Sequence, residues 1–446
     1  MPPFLRRVLA IALLGAALVV PAAAHAEDEV TLVLHQEPFE VAFHDLDGDR
    51  GASAGDLYTW VAPIGTEGGR TGTIVGDHQV VALPTDGPFR EVRLGTSVID
   101  LGERDTIVLG GLIPVTTPLG QIEPGTELAN AIIGGTGAYL GAKGEIESVR
   151  AEDGSWAHTL SFETVDPARG PVRTIRNSLK QTAAIVDQTG DGTTDAGDLR
   201  VAYNTGTTDD GRSAEAFGTQ IVVRGPGADG SPAVAFGYVT RVIGGDLLVG
   251  AVTTRPRAAT GRLTSGLSIP IVGGTGQFAG ARGVTTVTID ANGDPSGTHD
   301  LYADKHDRGE TLVLRSALPQ VATLDRGESG PSIGDQQSWV LPFTTDAGEP
   351  AGTTFGYITT IHSADDGTPV QIVAGLISLQ FADGSTILVA DLHPEDTALP
   401  KAADLEVTRP VLGGTGAYAG VSGELVTTLD GESGLVHTFN LLAPAE

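Results

Sequence analysis

Apolar and polar residues along this chain alternate in short runs rather than following a helical period. Ile221-Val222-Val223, Gly356–Ile361 and Leu425–Leu429 are rich in β-branched residues and bounded by Gly, Asp or Pro, the pattern of strands joined by tight turns. About eight such runs fit into every 140 residues or so, at roughly 8–14-residue intervals. Asp229-Gly230 and Asp366-Gly367 within Asp365-Asp366-Gly367 supply hairpin turns at corresponding places. No long stretch carries a 3.6-residue apolar period capped at both ends. An even number of short antiparallel strands is best satisfied by closure into a barrel, which leaves no exposed edge.

The pattern repeats. IIGGTGAYLGAKG around Gly134, IVGGTGQFAGARG around Gly273 and VLGGTGAYAGVSG around Gly413 stand 139 and 140 residues apart. That period exceeds the roughly 20–50 residues of a solenoid unit and suits a small domain. Other landmarks recur in register. Asp45 and Asp325 lie fourteen residues after Thr31 and Thr311, and Asp187 lies fourteen after Arg173. A Gly-Asp pair follows in each unit (Gly55-Asp56, Gly197-Asp198, Gly334-Asp335), with Trp60 and Trp339 four residues on but Ala202 in the second unit. Each unit ends on a strand-like run with a histidine: His158, His299 and His437. The expected organisation is a leader over residues 1–26 and three tandem eight-stranded antiparallel β-barrels over 27–167, 168–306 and 307–446. Short linkers near Asp166-Pro167 and Asp304–Asp307 would join three beads, each with its own core.

The leader changes the picture of where the protein works. Arg6-Arg7, the apolar run Val8–Val20 and Ala24-His25-Ala26 are the three regions of a secretory signal peptide, and the run is too short for a spanning helix of about 20 residues. A secreted chain beginning near Glu27 is expected, without membrane insertion. Its charge would fall from −29 to −31 on loss of the two arginines, a balance that disfavours nucleic acid and anionic lipid. There is no Cys, so disulfides, thiolate catalysis and Cys-zinc sites are excluded.

The glycine string permits two readings. Gly134-Gly135-Thr136-Gly137 could suggest a phosphate cradle, yet Leu140 stands where a dinucleotide fingerprint needs its third glycine and strand-like sequence follows. The other reading is a tight strand-to-strand turn whose glycines take positive φ or allow close backbone contact. Likewise, no Gly-Lys-Ser/Thr or His-Glu-x-x-His motif occurs, and no Gly-x-Ser-x-Gly string is followed by the helix that a hydrolase elbow needs. No cofactor is expected.

Gly-Gly-Thr-Gly, then x-Phe/Tyr, then a small-Arg/Lys-Gly element resembles the signature of the allene oxide cyclase and dirigent barrel superfamily. GGTGQFAGARG of the second unit is the form most similar to dirigent proteins, as is His44-Asp45 at the end of the first strand. Gly55-Asp56-Leu57, Gly197-Asp198-Leu199 and the aromatic at Trp60 and Trp339 are similar to the cyclase pattern. The resemblance implies barrels with mostly apolar cavities that hold a reactive molecule in one conformation, so that it cyclises or couples in one way. Departures are plain: Pro331-Ser332 reverses the cyclase Ser-Pro, Ala138, Gln277 and Ala417 replace the acid that often follows the string in dirigent proteins, and Val421-Ser422-Gly423 replaces Ala-Arg-Gly.

In a closed barrel the last strand pairs with the first, which suggests the couples Asp45–His158, Asp187–His299 and Asp325–His437 as ligand-orienting or general-base pairs. Alternatively each Asp caps a turn and each His bonds within the wall. With Trp60 and Trp339 these six make the candidate ligand-binding set. Asp187 to Asp198 also has calcium-loop spacing, though Asp198 replaces the usual Glu and strands flank it; a solvated hairpin loop is the competing reading, and no residue is assigned to a metal.

Two function classes follow. One is a secreted triple barrel that binds an apolar small molecule of about 300 Å³ and steers its cyclisation or coupling without covalent catalysis. The other is a non-catalytic extracellular module, structural or interacting, with calcium-stabilised loops.

Overall fold

The computed structural model describes residues 30–85, 88–102, 104–116, 119, 122–254, 260–263, 265–303, 308–326, 332–363, 370–396, 406–431 and 434–442. The leader, the Asp304–Asp307 seam, Pro331 and the Asp365-Asp366-Gly367 turn lie outside them.

The chain is all-β, with three closed eight-stranded antiparallel barrels in sequence. In the first, the last strand Trp156–Glu163 returns to pair with Val30–Gln36, closing the ring. The opening strand is in two halves, Val30–Gln36 and Val41–His44, both paired with Leu57–Thr66. The third barrel has the same break, between Arg308–Ala317 and Ala322–Leu324. Pro38 and Pro319 stand in the two gaps, where a residue without an N–H cannot serve a ladder. The second barrel has no proline there, and its opening strand Arg173–Val186 runs unbroken for 14 residues.

Each barrel fills one end with its own apolar cluster, such as Leu34, Ile107 and Phe162 in the first and Leu314, Phe343 and Phe439 in the third. The units are nevertheless not separate beads. A further buried cluster joins outward-facing residues of all three, among them Val75, Ile133, Phe236, Val272, Leu376 and Leu412. The expectation of independent cores therefore needs correction: besides its own interior cluster, each barrel has outer-wall residues that are apolar and buried against the other two, as in a sandwich interior.

The glycine strings lie at the centre of this packing. A Cβ on Gly134 would stand 2.7 Å from Val272 Cγ1, one on Gly273 3.3 Å from Leu412 Cδ2, and one on Gly413 3.0 Å from Ile133 Cγ2. First barrel meets second, second meets third and third meets first through the same edge, a cyclic arrangement about a pseudo-threefold axis. The last glycine of each string, Gly137, Gly276 and Gly416, takes φ of 62°, 54° and 60° at the turn, which a side chain disfavours. Buried Lys143 lies beside the axis and donates to the carbonyls of Val272, at 2.8 Å, and Leu412. Arg282, at the matching place in the second barrel, donates instead to Gly141 O at 2.7 Å.

Where Asp77, Tyr238 and Tyr357 converge, a cavity of about 50 Å³ separates the three walls. Burial pushes the Asp77 carboxyl up to about 8.

Candidate functional site

Strand alternation decides what enters each barrel. In the first, Tyr58 and Trp60 project inward from Leu57–Thr66, and Trp156 and His158 from the last strand, into a cavity of about 240 Å³ whose loop end is lined by Phe39, Leu119 and Ile122. The volume is somewhat below the 300 Å³ expected and suits a compact ligand. Trp60 and Trp156 are 8% and 9% exposed, so each indole is seated in the wall with little of it facing bulk water. Trp60 packs against the His78 ring at 4.3 Å between centroids, and Trp156 lies parallel to His158, planes 2° apart and centroids 6.2 Å apart.

The polar groups of this cavity are tied to one another. His158 Nδ1 is 2.8 Å from Ser148 Oγ and its Nε2 is 3.0 Å from Gln36 Oε1. A carbonyl oxygen only accepts, so Nε2 carries the proton and Nδ1 accepts from the serine hydroxyl. Burial, with a contribution from His35, pulls His158 down to about 4, which keeps the imidazole neutral at physiological pH. Burial and the neighbouring Arg93 hold His78 well below its ordinary value. Arg93 is ion-paired with Glu91 and lies over the Tyr58 ring, 3.6 Å from its centroid, a cation–π contact. The other Glu91 oxygen accepts from the Leu119 N–H at 2.9 Å and so anchors the rim. Together these groups can grip an apolar ring between indoles and offer it one neutral imidazole, an arrangement for holding and orienting.

The expected acid–imidazole couples do not form. On the first strand the register partner of His158 is Leu34, that of His299 is Ile175 and that of His437 is Leu314. Asp45, Asp187 and Asp325 lie eleven, twelve and eleven residues further on, past the far end of that strand. His299 bonds to Thr285 Oγ1 at 2.9 Å, and His437 to Ser316 at 2.9 Å and Thr427 at 3.2 Å. The histidines are also not all equivalent: His158 and His437 share a register position, five residues from the Lys143 and Ser422 ends of their partner strands, whereas His299 pairs with Thr285, two positions closer.

The acids organise their own loops. Asp45 accepts from the N–H groups of Gly48 and Arg50 at 2.7 and 2.9 Å, and Asp187 from those of Gly190 and Gly192 at 2.7 and 2.8 Å. Arg50 takes φ 68°, close to the 79° of Gly192, so the first loop keeps its shape without the glycine. Asp325 is exposed at the end of its short strand. Oxygens of Asp45, Asp47 and Asp49 come within 4.8 Å of one another on the surface. His44 faces the second barrel: its ring packs on Gly197, its Nε2 is 2.9 Å from Thr59 Oγ1, and burial pulls it down to about 4.

Trp339 projects into the third barrel as Trp60 does into the first, and lies against Gly356 as Trp60 lies against Gly76. The third interior carries an acid–imidazole pair of its own. Asp391 Oδ1 accepts from His393 Nδ1 at 2.8 Å and lies 2.8 Å from Arg409 Nε, off the line of a good hydrogen bond. Burial alone would raise the Asp391 carboxyl, but Arg409 and His393 hold it well below the usual carboxylate range. Sequence comparison between units passed over this pair because the other barrels have Gly111 and Ile113 or Val252 and Thr254 there. Its i, i+2 spacing on one strand was the available signal. Trp156, two residues before His158, carried the same signal.

No protein-family model matches the chain, and no curated protein matches it. Among solved structures, pyocyanin demethylase is similar at 23% identity over 30% of this chain and 99% of its own, with a TM-score of 0.25. AbnU, an exo-specific intermolecular Diels-Alderase, is similar at 12% identity over 30% of this chain and 100% of its own, with a TM-score of 0.22. Each match spans about the length of one repeat.

Proposed function

We propose that the protein is an exported small-molecule-binding protein whose first barrel takes a compact, largely apolar ring compound. The observation that carries this reading is the 240 Å³ cavity between Trp60 and Trp156, with neutral His158 on its wall. A ring between the indoles would bury apolar surface at roughly 25 cal/mol per Å², and His158 would exchange its Gln36 or Ser148 bond for one to the ligand's polar group. Of the chemistry implied by the allene oxide cyclase and dirigent resemblance, restraint of a reactive ligand in one conformation is what such a cavity supports. The second and third barrels complete the particle and bury the outer wall of the first. Export rests on the leader alone.

Native mass spectrometry of protein recovered from its own secretion medium tests the reading. A small-molecule adduct that disappears in Trp60→Ala is expected, on a chain beginning near Glu27. Ligand-free protein whose Trp fluorescence responds to no member of a panel of aromatic compounds would overturn it and leave a structural extracellular module.

A further inference from the structure

The second barrel differs from its neighbours in what it buries. Arg200 and Arg241 are 2% and 4% exposed and both line a cavity of about 50 Å³ inside the barrel. Tyr58 and Gln337 occupy the Arg200 position in the other barrels, and Ile99 and Leu379 the Arg241 position. Neither guanidinium has a carboxylate partner among the described residues. Arg200 donates to Gly261 O at 2.6 Å and to Gln220 Oε1, while Arg241 makes no hydrogen bond there at all and its Nη1 is buried. Asp294, just before the cavity-lining Pro295, is engaged by Arg262 at 3.3 Å and by the Gln181 N–H at 3.1 Å.

The amides of the cavity point the same way. Asn177 Oδ1 accepts from the Gly297 N–H at 3.0 Å, and Gln181 Oε1 from the Leu263 N–H at 3.3 Å. Backbone donors thus fix which end of each amide is the oxygen. The remaining NH₂ groups, Asn177 Nδ2 and Gln181 Nε2, are buried and unpartnered, as is His299 Nε2 nearby. Three unpartnered nitrogens, Asn177 Nδ2, Gln181 Nε2 and Arg241 Nη1, and the second guanidinium, Arg200, belong to residues that line a space for about three waters. Water alone would meet the hydrogen-bonding need but would leave two buried charges uncompensated, which is costly.

We infer that the second barrel is a binding site for a small monovalent anion, of halide or nitrate size, held between Arg200 and Arg241 and capped by the amides of Asn177 and Gln181. Burial lowers both guanidiniums only to about 10, so both stay charged at neutral pH and the site keeps its sign. An anion much larger than nitrate is excluded by volume. The inference stands apart from the first barrel's ligand and survives if that reading fails.

The test uses the full-length chain. Crystals soaked in bromide are expected to show an anomalous peak within hydrogen-bonding distance of Arg241 Nη1, and chloride-35 NMR in solution to show line broadening that excess nitrate reverses. Arg241→Leu, which restores the aliphatic side chain of the third barrel, should abolish both signals. Ordered water with no anomalous signal at that place in wild-type crystals would overturn the site, whether or not the variant folds. So would broadening that the folded variant retains in full.

Discussion

Trp60 lies across Gly76 so closely that a Cβ on the glycine would stand 2.3 Å from the indole Cζ2. The glycine is what lets the indole lie flat against the wall and leave the cavity open. Gly76→Ala should therefore tilt Trp60 into the cavity and weaken binding of an aromatic ligand without removing any contact residue. Trp60→Ala or Trp156→Ala should weaken it by about 1–3 kcal/mol, roughly 5–150-fold in Kd. Fluorescence titration of the three variants checks this, and unchanged affinity in all of them would remove the first cavity from consideration.

Asp77 gives the assembly a pH dependence of defined sign. Its folded pKa of about 8 lies above the ordinary carboxylate value of 3.8, so the folded state holds a proton that the unfolded chain has lost. The stability this carboxyl contributes is full below about pH 4 and is lost as pH rises toward 8. Asp77→Asn should thus gain on wild type by about 1.4 kcal/mol per pH unit across that window and level off above it. Buried Lys143, whose pKa is held well below its ordinary value by burial and Arg282, titrates in the opposite sense. It is common to both proteins and cancels in the difference. Urea denaturation of the pair at pH 6, 7 and 8 gives the slope; a constant difference would mean that Asp77 is ionised in place.

Gly134→Val should cost about 1–3 kcal/mol or more, because its side chain meets Val272 across the axis. Gly413→Val should behave similarly against Ile133, while the same change at exposed Gly384, φ 90° with open space around it, should carry only the backbone strain. Chemical denaturation of the three variants ranks them.

How much of this was legible in the sequence depends on the range of the interaction. The strands, their turns and the closed barrels follow from alternation and from a 140-residue period, which are local or repeated signals. Trp60 and His158 line one cavity because inward positions can be counted on the two strands that flank the first. The Asp45–His158 couple failed because closure says only that the last strand pairs with the first and not in which register, whereas register sets Leu34 opposite His158 and carries Asp45 past the strand's end. The first glycine of each string was read as part of a turn. Its contact lies in another barrel, and no window on one repeat contains that neighbour. Arg200 and Arg241 were missed for a related reason: landmarks shared by the units drew notice, and a site confined to one unit leaves no repeat to find.

Residues 164–172 join two barrels through an exposed turn at Pro167–Arg169, an accessible site for a protease. Because Val272 and Ile133 belong to the shared apolar cluster, cleavage there should leave the particle whole. Size-exclusion chromatography should give the native elution volume from material that runs as two fragments on a denaturing gel. Separation of the fragments under native conditions would show the shared cluster to be too weak to hold them.

Lys143, Arg282 and Ser422 occupy one register position in the three barrels. A ring made from three identical chains would have to repeat whichever residue stood there, setting three lysines about one axis to repel each other and compete for the same carbonyls. Joined end to end, the copies are freed from that rule: a single ammonium serves both neighbours, and the other two positions are released for different side chains. Linkage also makes closure of the ring unimolecular, so that dilution, which would dissolve a weak three-chain complex, leaves this one assembled.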